Sequence, residues 1–121
     1  MSAIIRLTVN GTKVYLENNK AGRKNYVEQM STEIAGALPS GEGRISIPDD
    51  KFQYARIVAE DQILLRVDIK GSKDSSIPGS DLLKNELDKK ISNKVIMDEQ
   101  TGPRISEIDS TYGAPATRKL L

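Results

Sequence analysis

Hydrophobic and polar positions alternate most clearly at the start of the chain. Ile5, Leu7 and Val9 alternate with Arg6 and Thr8, Asn10-Gly11 follows, and Val14 and Leu16 then alternate with Lys13 and Tyr15. Period-two alternation on both sides of Asn-Gly predicts a β-hairpin, because a type I′ turn needs positive φ at both central residues. The expected strands are 3–9 and 12–17. Beyond the turn-rich stretch Glu17 to Gly22 the period changes. Val27, Met30, Ile34 and Leu38 recur at three- and four-residue spacing, which predicts an amphipathic helix over 22–37, ended by Pro39-Ser40-Gly41.

The middle of the chain returns to strand-like patterning. Arg44 to Ile47 reads as a short strand stopped by Pro48. Phe52 to Ala59 fits neither period. Ile63, Leu65, Val67 and Ile69 alternate with Leu64, Arg66, Asp68 and Lys70, a secure strand over 62–70. After a polar linker, Ser80 is the expected N-cap of a second helix over 81–94, on which Leu83, Leu87, Ile91 and Val95 lie four apart. From Asp98 onward the pattern lapses. Gly102-Pro103, Gly113 and Pro115 interrupt scattered apolar residues, so 98–121 is expected to be an extended or flexible arm after a single α+β domain at 1–97. The fold class that follows is a small mixed or antiparallel sheet with two helices and a C-terminal arm.

Hairpin, helix, strand and strand within residues 3–71 resemble the β-grasp architecture of ubiquitin-like domains. The likeness rests on element order. Ubiquitin-like carriers end in Gly-Gly, whereas Ile69-Lys70-Gly71-Ser72 has one glycine and the chain runs on, so the resemblance implies a fold and not carrier chemistry. A plain antiparallel sheet with two helices on one face fits the same order, with 52–59 hairpinned to 62–70.

Composition narrows the chemistry. The 121 residues contain neither Cys nor His, which removes thiolate catalysis, cysteine metal sites, the commonest general base and the usual pH switch. Eighteen Lys and Arg against 17 Asp and Glu leave a net charge of +1, without the excess that marks nucleic-acid or membrane binding. The longest apolar run, Ile63-Leu64-Leu65, spans no bilayer, and the opening residues lack the pattern of a secretory signal; a cytoplasmic location, or a virion, is expected.

Few side chains suggest a site. Asp49-Asp50, Glu60-Asp61 and Asp98-Glu99 could hold a divalent cation for hydrolysis, but acids also dominate turns because they cap local backbone. Gly41-Glu42-Gly43-Arg44 leads into a strand, the wrong order for a phosphate cradle at a helix start. Neither a metal, a cofactor nor a catalytic residue is assigned. Arg23, Lys24, Lys89, Lys90 and Lys94 decorate helical segments and define one alternative, a nucleotide- or nucleic-acid-binding face. Arg23 and Lys24 oppose the dipole of the helix they open, which favours an acidic partner there. The arm is the stronger pointer. Ile105, Ile108, Tyr112, Leu120 and Leu121 are sparse apolar anchors able to dock on a partner. The favoured expectation is a non-catalytic assembly or accessory protein, of viral or phage type by its layout. It would self-associate or dock on another protein through a sheet edge and the arm, and its core would survive deletion of 98–121.

Overall fold

The computed structural model describes residues 1–48, 56–58, 62–99 and 101–116. Strand β1 (Ser2–Arg6) is followed by helices α1 (Val9–Glu17) and α2 (Lys20–Ala37). Strands β2 (Ile45–Ser46), β3 (Arg56–Val58) and β4 (Gln62–Ile69) come next, then helix α3 (Ser80–Ser92) and 3₁₀ turns at Val95–Glu99 and Pro103–Glu107. Strand β4 is the spine of an antiparallel sheet. It pairs with β1 along one side (Ile5 opposite Leu65), with β2 at its C-terminal end (Ser46 opposite Asp68) and with β3 at its N-terminal end (Ile57 opposite Ile63). The fold is a small α+β domain, as expected.

The sheet's alternation builds the core. Ala3, Ile5 and Leu7 share one face with Ile63, Leu65, Val67 and Ile69. Against them pack Tyr15 of α1, Tyr26, Val27, Met30 and Ile34 of α2, and Leu83, Leu87 and Ile91 of α3. All three helices therefore cover the same face. Helix α2 starts where Asn19 accepts a hydrogen bond from the Gly22 N–H at 2.8 Å. Helix α3 starts one residue before the expected position: Gly79 is its N-cap, and Ser80 is the first helical residue rather than the cap.

The hairpin does not form, and with it the β-grasp likeness fails. Residues 9–17 are helical. Thr8 caps this helix by accepting from the Gly11 N–H at 3.0 Å. Gly11, Thr12 and Tyr15 are buried at helical spacing, while Leu16, an inward position of the expected strand, is 42% exposed. The backbone N–H of Ile63 donates to the Thr12 hydroxyl at 3.1 Å, while the carbonyl of Leu7, opposite it, accepts from Gln62 Nε2 at 3.0 Å. One turn of helix thus satisfies a ladder donor where the regular pairing of β1 with β4 ends. Of the ambiguous segment 52–59, Arg56–Val58 is strand and hairpins onto β4, the arrangement of the plain antiparallel alternative. The remainder of that segment lies outside the described residues.

The stretch beginning at Asp98 is irregular but not free. Ile105, Ile108 and Ala114 belong to the core, and residues 107–116 run along the outer edge of β1. There the Thr8 N–H donates to the Glu107 carbonyl at 2.9 Å, the Asp109 N–H to the Arg6 carbonyl at 2.7 Å, and the Ile4 N–H to the Pro115 carbonyl at 2.9 Å. Through Ala116 the expected arm is part of the domain.

Candidate interaction surface

The predicted anchors divide into three groups. Ile105 and Ile108 are 2% and 1% exposed inside this chain's own core, so the partner-docking role expected of them is taken by intramolecular packing. Tyr112 is half-buried with the Arg6 guanidinium 5.2 Å above its ring, a cation–π contact that also stays within the chain. Leu120 and Leu121 lie outside the described residues.

The predicted basic face is dispersed. Arg23 donates to the Asn18 carbonyl at 3.0 Å, and Lys90 Nζ donates to the Ala37 carbonyl at 2.6 Å, capping the C-terminus of α2. Lys24 is exposed near the N-terminus of α2, and Lys89 and Lys94 are exposed near the end of α3. Lys90 places that end of α3 beside the C-terminus of α2, an 18-residue helix about 27 Å long, so Lys24 and the α3 lysines do not converge on one phosphate. Of the acidic pairs, Asp49-Asp50 and Glu60-Asp61 fall outside the described residues. No group of three acidic side chains able to hold a metal ion occurs among the described ones.

Sequence reasoning missed a buried polar network that fixes the C-terminal segment to α2. Glu33, 4% exposed, accepts the Ile105 N–H at 2.9 Å, and its carbonyl accepts from the Thr101 hydroxyl at 2.8 Å. The Glu107 carboxylate accepts from the Tyr26 hydroxyl at 3.0 Å and from Arg104 at 2.7 Å, and Arg104 also lies 4.7 Å from the centre of the Tyr26 ring. Burial, then the charge and hydrogen bond of Glu107, push the Tyr26 phenol well above its ordinary range, so it serves as a neutral donor. Every charged member of this network has a partner of complementary sign or a dedicated donor, which gives it the character of a clasp. Nearby, burial pushes the Asp109 carboxyl up. Hydrogen bonds from the Thr111 hydroxyl and N–H and from Gln62, with the Arg6 charge, outweigh that and hold it below the usual carboxylate range.

With β1 covered by residues 107–116, the edges left among the described residues are β2 and the short β3, both on the far side of β4, and β2 is the one that borders a groove. Its exposed direction follows from the ladder. The Lys70 N–H donates to the Arg44 carbonyl at 2.8 Å, so Arg44 and Lys70 are a hydrogen-bonded pair. Antiparallel pairing alternates, so Ser46–Asp68 is the next bonded pair and Ile45–Ile69 is a non-bonded one. The N–H and C=O of Ile45 therefore point away from the sheet. Among the described residues no hydrogen bond reaches them.

A groove runs between this edge and the exposed side of α2. One half, about 490 Å³, is lined by Lys24, Val27, Glu28 and Ile47; the other, about 540 Å³, by Ala35, Gly36, Glu42 and Thr101; Ser31, Thr32 and Ile45 border both. Lys24, Glu28, Thr32 and Gly36 follow one another at four-residue spacing and are all exposed. The groove is firmly mounted. Arg44 Nε donates to the Lys70 carbonyl at 2.9 Å and its Nη1 to the Ser40 carbonyl at 3.3 Å, tying the chain that enters β2 to the end of β4.

No family model, curated protein or solved structure matches this chain, so the geometry alone speaks to function. No helix among the described residues is long and apolar enough to cross a membrane.

Proposed function

We propose that this chain is a non-catalytic interaction protein that receives an extended segment on the β2 edge, with α2 as the flanking wall. The observation that carries the reading is the asymmetry of the sheet's edges. The β1 edge is bonded to the protein's own residues 107–116, whereas Ile45 presents an outward N–H and C=O beside a groove. A strand added there makes two hydrogen bonds to Ile45, while its alternate side chains reach Ser31, Thr32 and Gly36. The part assigned to Ile105 and Ile108 in the sequence reading passes to this edge.

The test is a titration of the ¹⁵N-labelled chain with an acetylated peptide of alternating Thr and Val, followed by amide chemical shifts. Saturable shifts at Ile45 to Ile47 and along the Lys24–Gly36 face are expected, and Ile45→Pro removes them. Proline at this position deletes a donor that points outward and leaves the Arg44–Lys70 and Ser46–Asp68 bonds in place. Shifts confined to another surface, or none at all, refute docking at this edge.

A further inference from the structure

Resting on that docking reading, we infer that the occupant of the β2 edge is a second copy of this chain, related by a two-fold axis that passes midway between the two Ile45 residues. A two-fold interface must be self-complementary, each patch meeting itself in reverse. Three features of this groove meet that condition independently.

The first is the backbone. Ile45 turns both its N–H and its C=O outward. An antiparallel copy centred on Ile45 forms a reciprocal pair in which each Ile45 donates to and accepts from the other. A residue in the opposite phase of the ladder would offer nothing to its symmetry mate. Pro48 follows closely and offers no donor, so pairing stays centred on Ile45 and does not slide along the edge.

The second is charge. Lys24 stands at the Ile47 end of the groove and Glu42 at the Gly43 end. Both are exposed, and neither makes an ion pair among the described residues. Reversal of one copy against the other brings each Lys24 to the partner's Glu42, so the interface holds this pair twice. A parallel or shifted arrangement sets like charges together at the ends.

The third is relief. The middle of the exposed α2 face is Thr32 and Gly36, with the small side chains of Ser31 and Ala35 almost covered beside them. Joining two β2 edges into one continuous sheet sets the two α2 helices side by side and antiparallel on the same face. Small residues at the centre permit that approach. The Lys24 and Glu28 side chains, one turn apart, stand clear of the axis, over the Gly36–Glu42 region of the other copy.

The experiment is a dilution series by sedimentation equilibrium on the full chain, with charge-exchange variants. Wild type is expected to show a reversible monomer–dimer equilibrium. Lys24→Glu and Glu42→Lys alone each weaken dimerisation roughly tenfold, as two exposed pairs turn repulsive, and the double exchange restores wild-type association. Carbodiimide coupling of mixed ¹⁴N and ¹⁵N chains should join Lys24 of one copy to Glu42 of the other. Because both residues are exposed, these variants do not depend on tolerance of proline at position 45. A chain that is monomeric at every concentration, or a dimer indifferent to both exchanges, overturns the inference. A monomer that still binds the Thr-Val peptide at Ile45 overturns the second copy alone and leaves the docking edge standing; a monomer that binds no peptide overturns both.

Discussion

Single residues carry more of this fold than their types announce. Gly11 ended up inside a helix, where glycine is ordinarily unfavourable by about 1 kcal/mol, because α1 lies against the C-terminal segment. A β-carbon there would sit 2.8 Å from Glu107 Cβ and 3.0 Å from the Glu107 carbonyl oxygen. Gly11→Ala should therefore destabilise by about 1–3 kcal/mol despite the gain in helix propensity, whereas Gly71→Ala, with open space around it, should be close to neutral. Urea melts of the two variants make the comparison. Asp109 gives a pH signature. Its carboxyl lies below its ordinary value in the folded chain, so the folded state prefers it ionised more strongly than the unfolded state does. The resulting stabilisation is present at neutral pH and is lost as the pH falls below about 4, through the usual carboxylate value and then the folded one. Asp109→Asn should flatten the acid limb of stability against pH and leave its slope above pH 6 unchanged. An acid limb identical to wild type would show that other carboxylates carry it.

At the scale of elements, the sequence and the structure part company at the two places where one segment's conformation depends on another far along the chain. Asn10-Gly11 flanked by alternating residues reads locally as a hairpin, and Val14 and Leu16 read as its inner face. In the folded chain the buried residue is Tyr15, which packs edge-on against Tyr26 with ring centres 5.5 Å apart. That contact, the Thr12 bond to Ile63 and the close pass of Glu107 all come from outside the segment, and they select helix over strand. The stretch 98–121 reads as an arm because its apolar residues follow no period. Its described residues nevertheless contribute to the core, since Ile105, Ile108 and Ala114 are buried there individually and not as a stripe. A chain ended at Met97 should accordingly lose cooperative unfolding. It would forfeit two fully buried isoleucines, each worth about 2–5 kcal/mol by truncation to alanine, together with the Glu107 clasp on Tyr26. A native-like thermal transition in that truncated chain, by circular dichroism, would contradict this assignment and restore the arm as dispensable. Elements whose periodicity is self-contained were legible: α2, β4 and α3 all lie within two residues of their expected limits.

For the whole molecule, the two edges of the sheet are the organising fact. One edge is closed by residues of the same chain, while β2 on the other side of β4 faces a groove and offers a place for strand-mediated assembly. An assembly that forms only between folded chains stabilises them by mass action. The midpoint of thermal unfolding of the wild-type chain should rise with protein concentration, and that of Ile45→Pro should not. Scanning calorimetry over a hundredfold range of concentration measures both. A midpoint independent of concentration in wild type would mean that folding and association are not coupled at this edge. The candidate surface itself was only partly readable beforehand. A sheet edge was anticipated as the docking element, but which edge remained open depended on where residues 107–116 came to lie.

By itself the sequence determined the α+β class, the long amphipathic helix, the central alternating strand and the absence of cysteine and histidine chemistry. Each of these follows from residue type or from a period contained within one segment, which local sterics and one-sided burial are enough to impose. Only the tertiary structure decided that residues 9–17 coil, that Ile105 and Ile108 turn inward, and that β2 rather than β1 is the exposed edge. Those outcomes depend on contacts between residues as much as a hundred positions apart, such as Arg6 with Asp109 at 2.9 Å, and such contacts leave no periodic trace in either partner's own stretch of chain.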